Sequence, residues 1–173
     1  MKILLFGLPG SGKTTQAELL AKRLGFKHIY PGQMFRDEIA NKTPLGLEIK
    51  EVMESGHFVE NSITNKLMFK SMNEYENIIF DGYPRNIPQA EWYVNHMSED
   101  DLFIMLELNE QIIINRLLNR GRQGDTLDII QERINVYKKE TLPAIQYYNK
   151  YMHYINGDDK INDVYSEIMH LIG

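Results

Sequence analysis

A doubly wound, three-layer α/β fold around a parallel five-stranded sheet is predicted by two features of this 173-residue sequence. The first is a set of short apolar runs without polar alternation: "KILLF", "NIIF" and "LFIMLEL", with the shorter "KHIY" and "MHYI". Strands buried on both faces read this way, and such strands belong to parallel sheets. The second is the helix-length segments that separate them, an alternation that places a ligand site at the carboxyl ends of the strands.

Taken in order, "KILLF" runs into the glycine-rich loop "GLPGSGKTTQ", and "TTQAELLAKRL" reads as a helix stopped by Gly25. After "KHIY", the stretch from Pro31 to about Val59 holds two helices and no strand, and reads as an insertion over the rim of the sheet. Its second helix, "TPLGLEIKEVMES", has Thr43 as cap, Pro44 in its first turn and Gly56 as stop. "NIIF" leads into "DGYPR", and "LFIMLEL" into Asn109 and a helix, "NEQIIINRLLNR", that ends at Gly121. "LDIIQERINVYKKETLPAIQYYNKY" reads as one long helix, bent or broken at Pro143. The loops after three strands therefore converge on one edge.

Length and composition bound the function. One domain spanning 1–173 is expected, with the insertion at 31–59 and a short lid at about 120–127. A formal net charge of −5 argues against a broad nucleic-acid or anionic-membrane surface, though a local arginine cluster remains compatible with phosphate binding. The aromatic residues are not interleaved with basic ones, so no nucleic-acid partner is expected. The sequence has no cysteine, which rules out disulfides and thiolate zinc and suits a reducing cytoplasm, the expected location. No run of 18 apolar residues occurs, and the N-terminal run is too short for a signal-peptide core, so no membrane association is expected. The five histidines have no metal-ligand spacing among themselves, and a structural zinc site is not expected.

Gly7 to Thr14 fits G-x-x-x-x-G-K-[ST] between a predicted strand and a predicted helix. In such a loop the backbone N–H groups of Gly10, Ser11 and Gly12 converge on phosphate oxygens, helped by the helix N-terminus, and Lys13 reaches the β- and γ-phosphates. Asp81 in "FDG" supplies an acid at a strand end, where it can hold water around Mg²⁺ with Thr14 or Thr15. Arg116 and Arg120 share a helix face, Arg122 follows, and Arg133 lies on the next helix. Read alone, such arginines favour a solvated helix face. The loop establishes a nucleotide donor but leaves the acceptor open: water, a protein side chain or a small molecule.

Four further segments resolve the acceptor by resemblance. "GLPGSGKTTQA", "GQMFR", "SGHFV" and above all "DGYPRNIPQAE" are similar to the ordered motifs of the adenylate kinases, and more broadly of the nucleoside monophosphate kinases. The resemblance runs almost end to end. It implies the P-loop NTPase fold and a Mg²⁺-dependent reversible transfer, ATP + AMP = 2 ADP, by a monomeric enzyme of nucleotide biosynthesis. It places ATP against Gly10, Ser11, Gly12, Lys13, Thr14, Thr15, Arg116 and Arg120, with Asp159 in "NGDDK" near the donor adenine. It places AMP against Pro31, Gly32, Arg36, the "HFV" stretch (His57, Phe58, Val59), Gly82, Arg85, Gln89, Arg122 and Arg133. Arg122 and Arg133 fall on the transferring phosphates, and Lys13, Arg85, Arg116, Arg120, Arg122 and Arg133 form the implied catalytic set. Because both substrates are anionic, fixed cations matter more here than a general base.

The sequence departs from the family pattern in four places. Thr14 stands where the family usually has glycine after the lysine, and Pro31 and Gln33 replace the usual threonine and aspartate around Gly32. Asn86 is closer to the uridylate and cytidylate kinase version of the motif, whereas Gln89 is the adenylate version. Only "GRQGD" separates Arg120 from the next helix, a very short lid. The alternatives are a cytidylate or uridylate kinase, a non-catalytic nucleotide-binding protein of the same fold, and a kinase for a non-nucleotide metabolite.

Overall fold

The computed structural model of the chain describes residues 1–54, 59–121 and 125–173. Its strands are β1 (Lys2–Phe6), β2 (Lys27–Ile29), β3 (Ile78–Asp81), β4 (Leu102–Glu107) and β5 (Met152–Asn156). They form one parallel sheet in the order β2-β3-β1-β4-β5. Both faces of the central strand are covered, and Ile3 to Phe6 is accordingly apolar without alternation. Leu4 and Phe6 pack on one side with Phe80, Tyr83, Tyr93, Phe103 and Tyr148. Ile3 and Leu5 turn to the other side with Ala17, Leu20, Val164 and Ile168. Leu4 lies opposite Phe80 and Phe103, and because β1, β3 and β4 are parallel they deliver their following loops to the same edge of the sheet.

The helices are α1 (Lys13–Leu24), α2 (Pro31–Ala40), α3 (Pro44–Glu54), α4 (Asn61–Glu74), α5 (Ile87–Val94), α6 (Glu110–Asn119), α7 (Leu127–Val136), α8 (Leu142–Ile145) and α9 (Ile161–Ile172). The expected stops and caps operate at several ends. The N–H of Gly25 donates to Ala21 O at 2.9 Å, and Thr43 Oγ1 accepts from Gly46 N at 3.0 Å, capping α3. Gly56, the expected stop of α3, lies outside the described residues. The insertion has its own small core of Phe35, Ile49 and Val59, and α6 and α7 share another of Ile113, Leu117, Ile130 and Ile134. Each satellite core sits beside the rim.

Two results differ from the sequence reading. Helix α4 was not anticipated, because its buried face consists of Thr64, Met68 and Ser71 rather than an apolar stripe. The hydroxyls are satisfied inside the helix, Thr64 Oγ1 donating to Glu60 O at 3.2 Å and Ser71 Oγ to Leu67 O at 3.0 Å. The long helix expected around Pro143 is not simply bent there. It passes from α7 into a wide π-helical turn, Tyr137–Thr141, then α8 and a 3₁₀ segment, Gln146–Tyr151. Pro143 has no N–H to give the preceding turn, and the chain widens just before it. Among the described residues no helix is long and apolar enough to cross a membrane.

Candidate active site

The donor loop is built by glycines that no other residue replaces. At Gly7, with φ 142°, a Cβ would sit 2.6 Å from Ser11 Oγ and 2.7 Å from Leu106 O; at Gly10, with φ 87°, it would meet Leu117 at 2.9 Å. Lys13 Nζ folds back over this loop, donating to Gly7 O at 2.7 Å, Leu8 O at 2.9 Å and Ser11 Oγ at 3.3 Å. Burial pulls its pKa down to about 8, opposed by the Asp81 charge and assisted by that of Arg85. A lysine in this state gains from an arriving polyphosphate.

Asp81 ends β3 with only 2% of its surface exposed. Thr14 Oγ1 donates to its Oδ2 at 2.6 Å, and His28 Nε2 lies 3.4 Å from the same oxygen. Burial pushes the Asp81 carboxyl up, but the His28 and Thr14 contacts and the Lys13 charge outweigh it, so the carboxyl stays below the usual carboxylate range. Of the two adjacent threonines, Thr14 is the one joined to this acid. A hydroxyl and an ionised carboxylate side by side at the foot of the phosphate loop suit a hydrated Mg²⁺, a hard cation that keeps most of its waters.

Near the loop lie Arg116 and Arg120, expected to meet the donor, and Arg133, expected on the transferring phosphates. Arg116 donates to Gly157 O and to Asp158 Oδ1, both at 3.0 Å. Arg120 and Arg133 converge on one carboxylate, Asp125, at 2.7 Å each, and Asp125 has a side chain only 1% exposed. Burial raises that carboxyl, but the two guanidinium groups hold it below its ordinary value. Gly10, Gly12, Lys13, Thr14, Thr15, Arg116 and Arg120 line one cleft of about 290 Å³. Beside it, Thr15, Arg116, Gly157, Asp159 and Ile161 border a second of about 350 Å³. Asp159 itself accepts from Asn156 Nδ2 at 3.1 Å. Gln16, in that same second cleft, is 3% exposed and donates to Ile161 O at 3.0 Å, tying the donor loop to the C-terminal loop. Arg122 lies outside the described residues.

Arg85 and Arg36 are the arginines expected to meet the acceptor. Arg85 Nε donates to Gly82 O at 2.7 Å, and Thr141 Oγ1, from the π turn, donates to Arg85 O at 2.8 Å. Arg36 gives Nε and Nη2 to Gln33 Oε1 at 3.1 and 2.8 Å. Gln89 is 4% exposed: its Oε1 accepts from Arg85 N at 2.9 Å and its Nε2 donates to Asn61 Oδ1 at 3.0 Å. Asn86 caps α5, accepting from Gln89 N at 3.1 Å and donating to the same Asn61 oxygen at 2.8 Å. Its side chain is thus turned into its own loop. Pro31 opens α2, Gly32 follows it, and Val59 is buried in the insertion core. His57 and Phe58 lie outside the described residues.

Asp125, Asn61 and Thr141 went unmarked in the sequence. Asp125 carried a faint signal, an acid within reach of three arginines in the chain. Asn61 and Thr141 carried none, because their partners lie 25 to 56 residues away.

A family model described as adenylate kinase matches residues 5–153. An adenylate kinase of Nocardia farcinica is 35% identical, over 100% of this chain and 99% of that protein. One from Prochlorococcus marinus is 37% identical over 96% and 95%, and one from Porphyromonas gingivalis 37% over 95% and 91%. With a phosphate loop, an acid beside it and arginines on both flanks, this chain belongs to the adenylate kinase family of phosphotransferases.

Proposed function

We propose that the chain transfers the γ-phosphoryl group of ATP to AMP, giving two molecules of ADP, reversibly and without a phosphoenzyme. The observation that carries this reading is the placement of Lys13 between two arginine sets. It shares a cleft with Arg116 and Arg120 and feels the charge of Arg85. An anionic donor and an anionic acceptor brought together repel strongly, and fixed cations on both flanks lower that cost where charge develops.

In the proposed reaction an oxygen of the acceptor phosphate attacks the γ-phosphorus, and the bond to the β,γ-bridging oxygen breaks. The acceptor oxygen is already ionised, so no general base is required. Lys13 and the amides of Gly10, Ser11 and Gly12 hold the donor phosphates, while Arg116 and Arg120 hold the donor and Asp159 borders its base. Arg36 and Arg85 hold the acceptor phosphate, and Arg122 and Arg133 offset charge on the phosphoryl group in flight. Pro31, Gly32, the backbone of 57–59, Gly82 and Gln89 line the acceptor nucleoside. Asp81 and Thr14, with Thr15 beside them, would hold the waters of a Mg²⁺ ion, which would supply positive charge against the donor phosphates. A cytoplasmic monomer in which 31–59 and the short connection at about 120–127 close on substrate completes the proposal.

The test is an assay with ATP and a panel of AMP, GMP, CMP, UMP and their deoxy forms. AMP is expected to give the highest kcat/KM. A preference for CMP or UMP overturns the choice of base, and no transfer to any monophosphate overturns the kinase reading.

A further inference from the structure

Arg36 and Arg85 are held differently from Arg116, Arg120 and Arg133. Arg116 rests on Asp158, and Arg120 and Arg133 rest on Asp125. Among the described residues neither Arg36 nor Arg85 lies within ion-pair distance of a carboxylate. Both instead lie over one aromatic ring. The Arg36 guanidinium carbon is 5.2 Å, and that of Arg85 5.8 Å, from the centroid of Tyr30. Tyr30 is the last residue before α2, in extended backbone with φ −123°. Its ring also lies against Gly32, where a Cβ would come within 3.2 Å of Cε2 and 3.3 Å of Cζ.

We propose that Tyr30 is a positioning residue for the acceptor phosphate, its ring holding Arg36 and Arg85 together by cation–π contact until the monophosphate arrives. This rests on the acceptor site proposed above. Two guanidinium groups brought close without an anion repel each other, and the electron-rich face of a ring offsets that repulsion without a negative charge. A carboxylate in the same place would have to be displaced by the incoming phosphate. A ring does not compete, because it binds the guanidinium face whereas a phosphate binds the N–H edge. Among the described residues N–H groups remain for the phosphate: Arg36 gives Nε and Nη2 to the neutral Gln33 oxygen and keeps Nη1, and Arg85 gives Nε to Gly82 O and keeps both Nη groups. Gly32 leaves this ring its room, since a Cβ there would press on it by a few tenths of an ångström.

Tyr30→Phe keeps the ring and loses the hydroxyl, whereas Tyr30→Leu and Tyr30→Met keep bulk and lose the π face. Steady-state kinetics are measured with AMP varied at saturating ATP, and with ATP varied at saturating AMP. Tyr30→Phe is expected to stay within about twofold of the unmodified enzyme. Leu and Met are expected to raise the KM for AMP by roughly five- to tenfold, with kcat and the KM for ATP within about twofold. The inference is overturned if Leu and Met behave like the unmodified enzyme, if Phe is as impaired as Leu, or if the KM for ATP rises in step. An unmodified enzyme that phosphorylates no monophosphate overturns the acceptor site itself, and with it this role for Tyr30. That failure is read on the unmodified chain, before any variant is compared.

Discussion

Lys13 is the residue whose charge the fold makes conditional. Its ammonium sits among three neutral oxygens, Gly7 O, Leu8 O and Ser11 Oγ, and burial brings its pKa to about 8. In the free chain the fraction carrying a proton therefore falls as pH rises through 8. A bound polyphosphate favours the charged form and raises the pKa, so binding at alkaline pH must draw a proton from solution. ATP binding by titration calorimetry, in buffers of different ionisation enthalpy, is expected to show uptake of roughly half a proton at pH 8 and much less at pH 7. Lys13→Arg, which stays charged, should abolish the uptake; uptake unchanged in that variant would assign the proton to another group. This role was legible in the sequence, since G-x-x-x-x-G-K-[ST] after an apolar run specifies where the lysine goes. The partners that set its pKa were not, because Asp81 and Arg85 reach it only through the sheet register.

At the scale of elements, legibility followed burial. Strands covered on both faces announced themselves by composition, as Ile3, Leu4 and Leu5 do. Helix α4 was hidden because Thr64 and Ser71 occupy its buried face and bond within the helix. The insertion was read as two helices without a strand, yet its tightest contact was invisible. Gly46, in the first turn of α3, lies against the backbone of α2 so closely that a Cβ would stand 2.0 Å from Glu38 O and 2.3 Å from Glu38 C. Neither atom is the end of a flexible side chain, so Gly46→Ala must separate α2 from α3. The expected cost is about 1–3 kcal/mol, a fall in Tm on the order of 5 °C. Because α2 carries Arg36, the KM for the monophosphate should rise while that for ATP holds. Calorimetry and kinetics on the same preparation check both, and an unchanged Tm would mean that the two helices separate freely.

Across the whole molecule, a two-sided core fixes the sheet, and two small satellite cores support helices that carry the arginines proposed to approach the phosphates. Phe35, Ile49 and Val59 support the helix bearing Arg36; Ile113, Leu117, Ile130 and Ile134 support the pair of helices bearing Arg116 and Arg133. The chain between that second pair is short: only "GRQGD" separates Arg120 from Thr126, which caps α7. Its last residue, Asp125, already ties Arg120 to Arg133. A lid excludes water from the phosphoryl group once both substrates are bound, and a longer segment covers more of the site. If the short connection serves as the lid proposed above, the arginines would supply positioning with less help from exclusion. Phosphate release from ATP alone, expressed as a fraction of transfer to AMP, is therefore expected to be several-fold higher than in a long-lid member of the family assayed side by side. Equal or lower leakage would mean that the short connection and its arginines exclude water as completely as a full lid does.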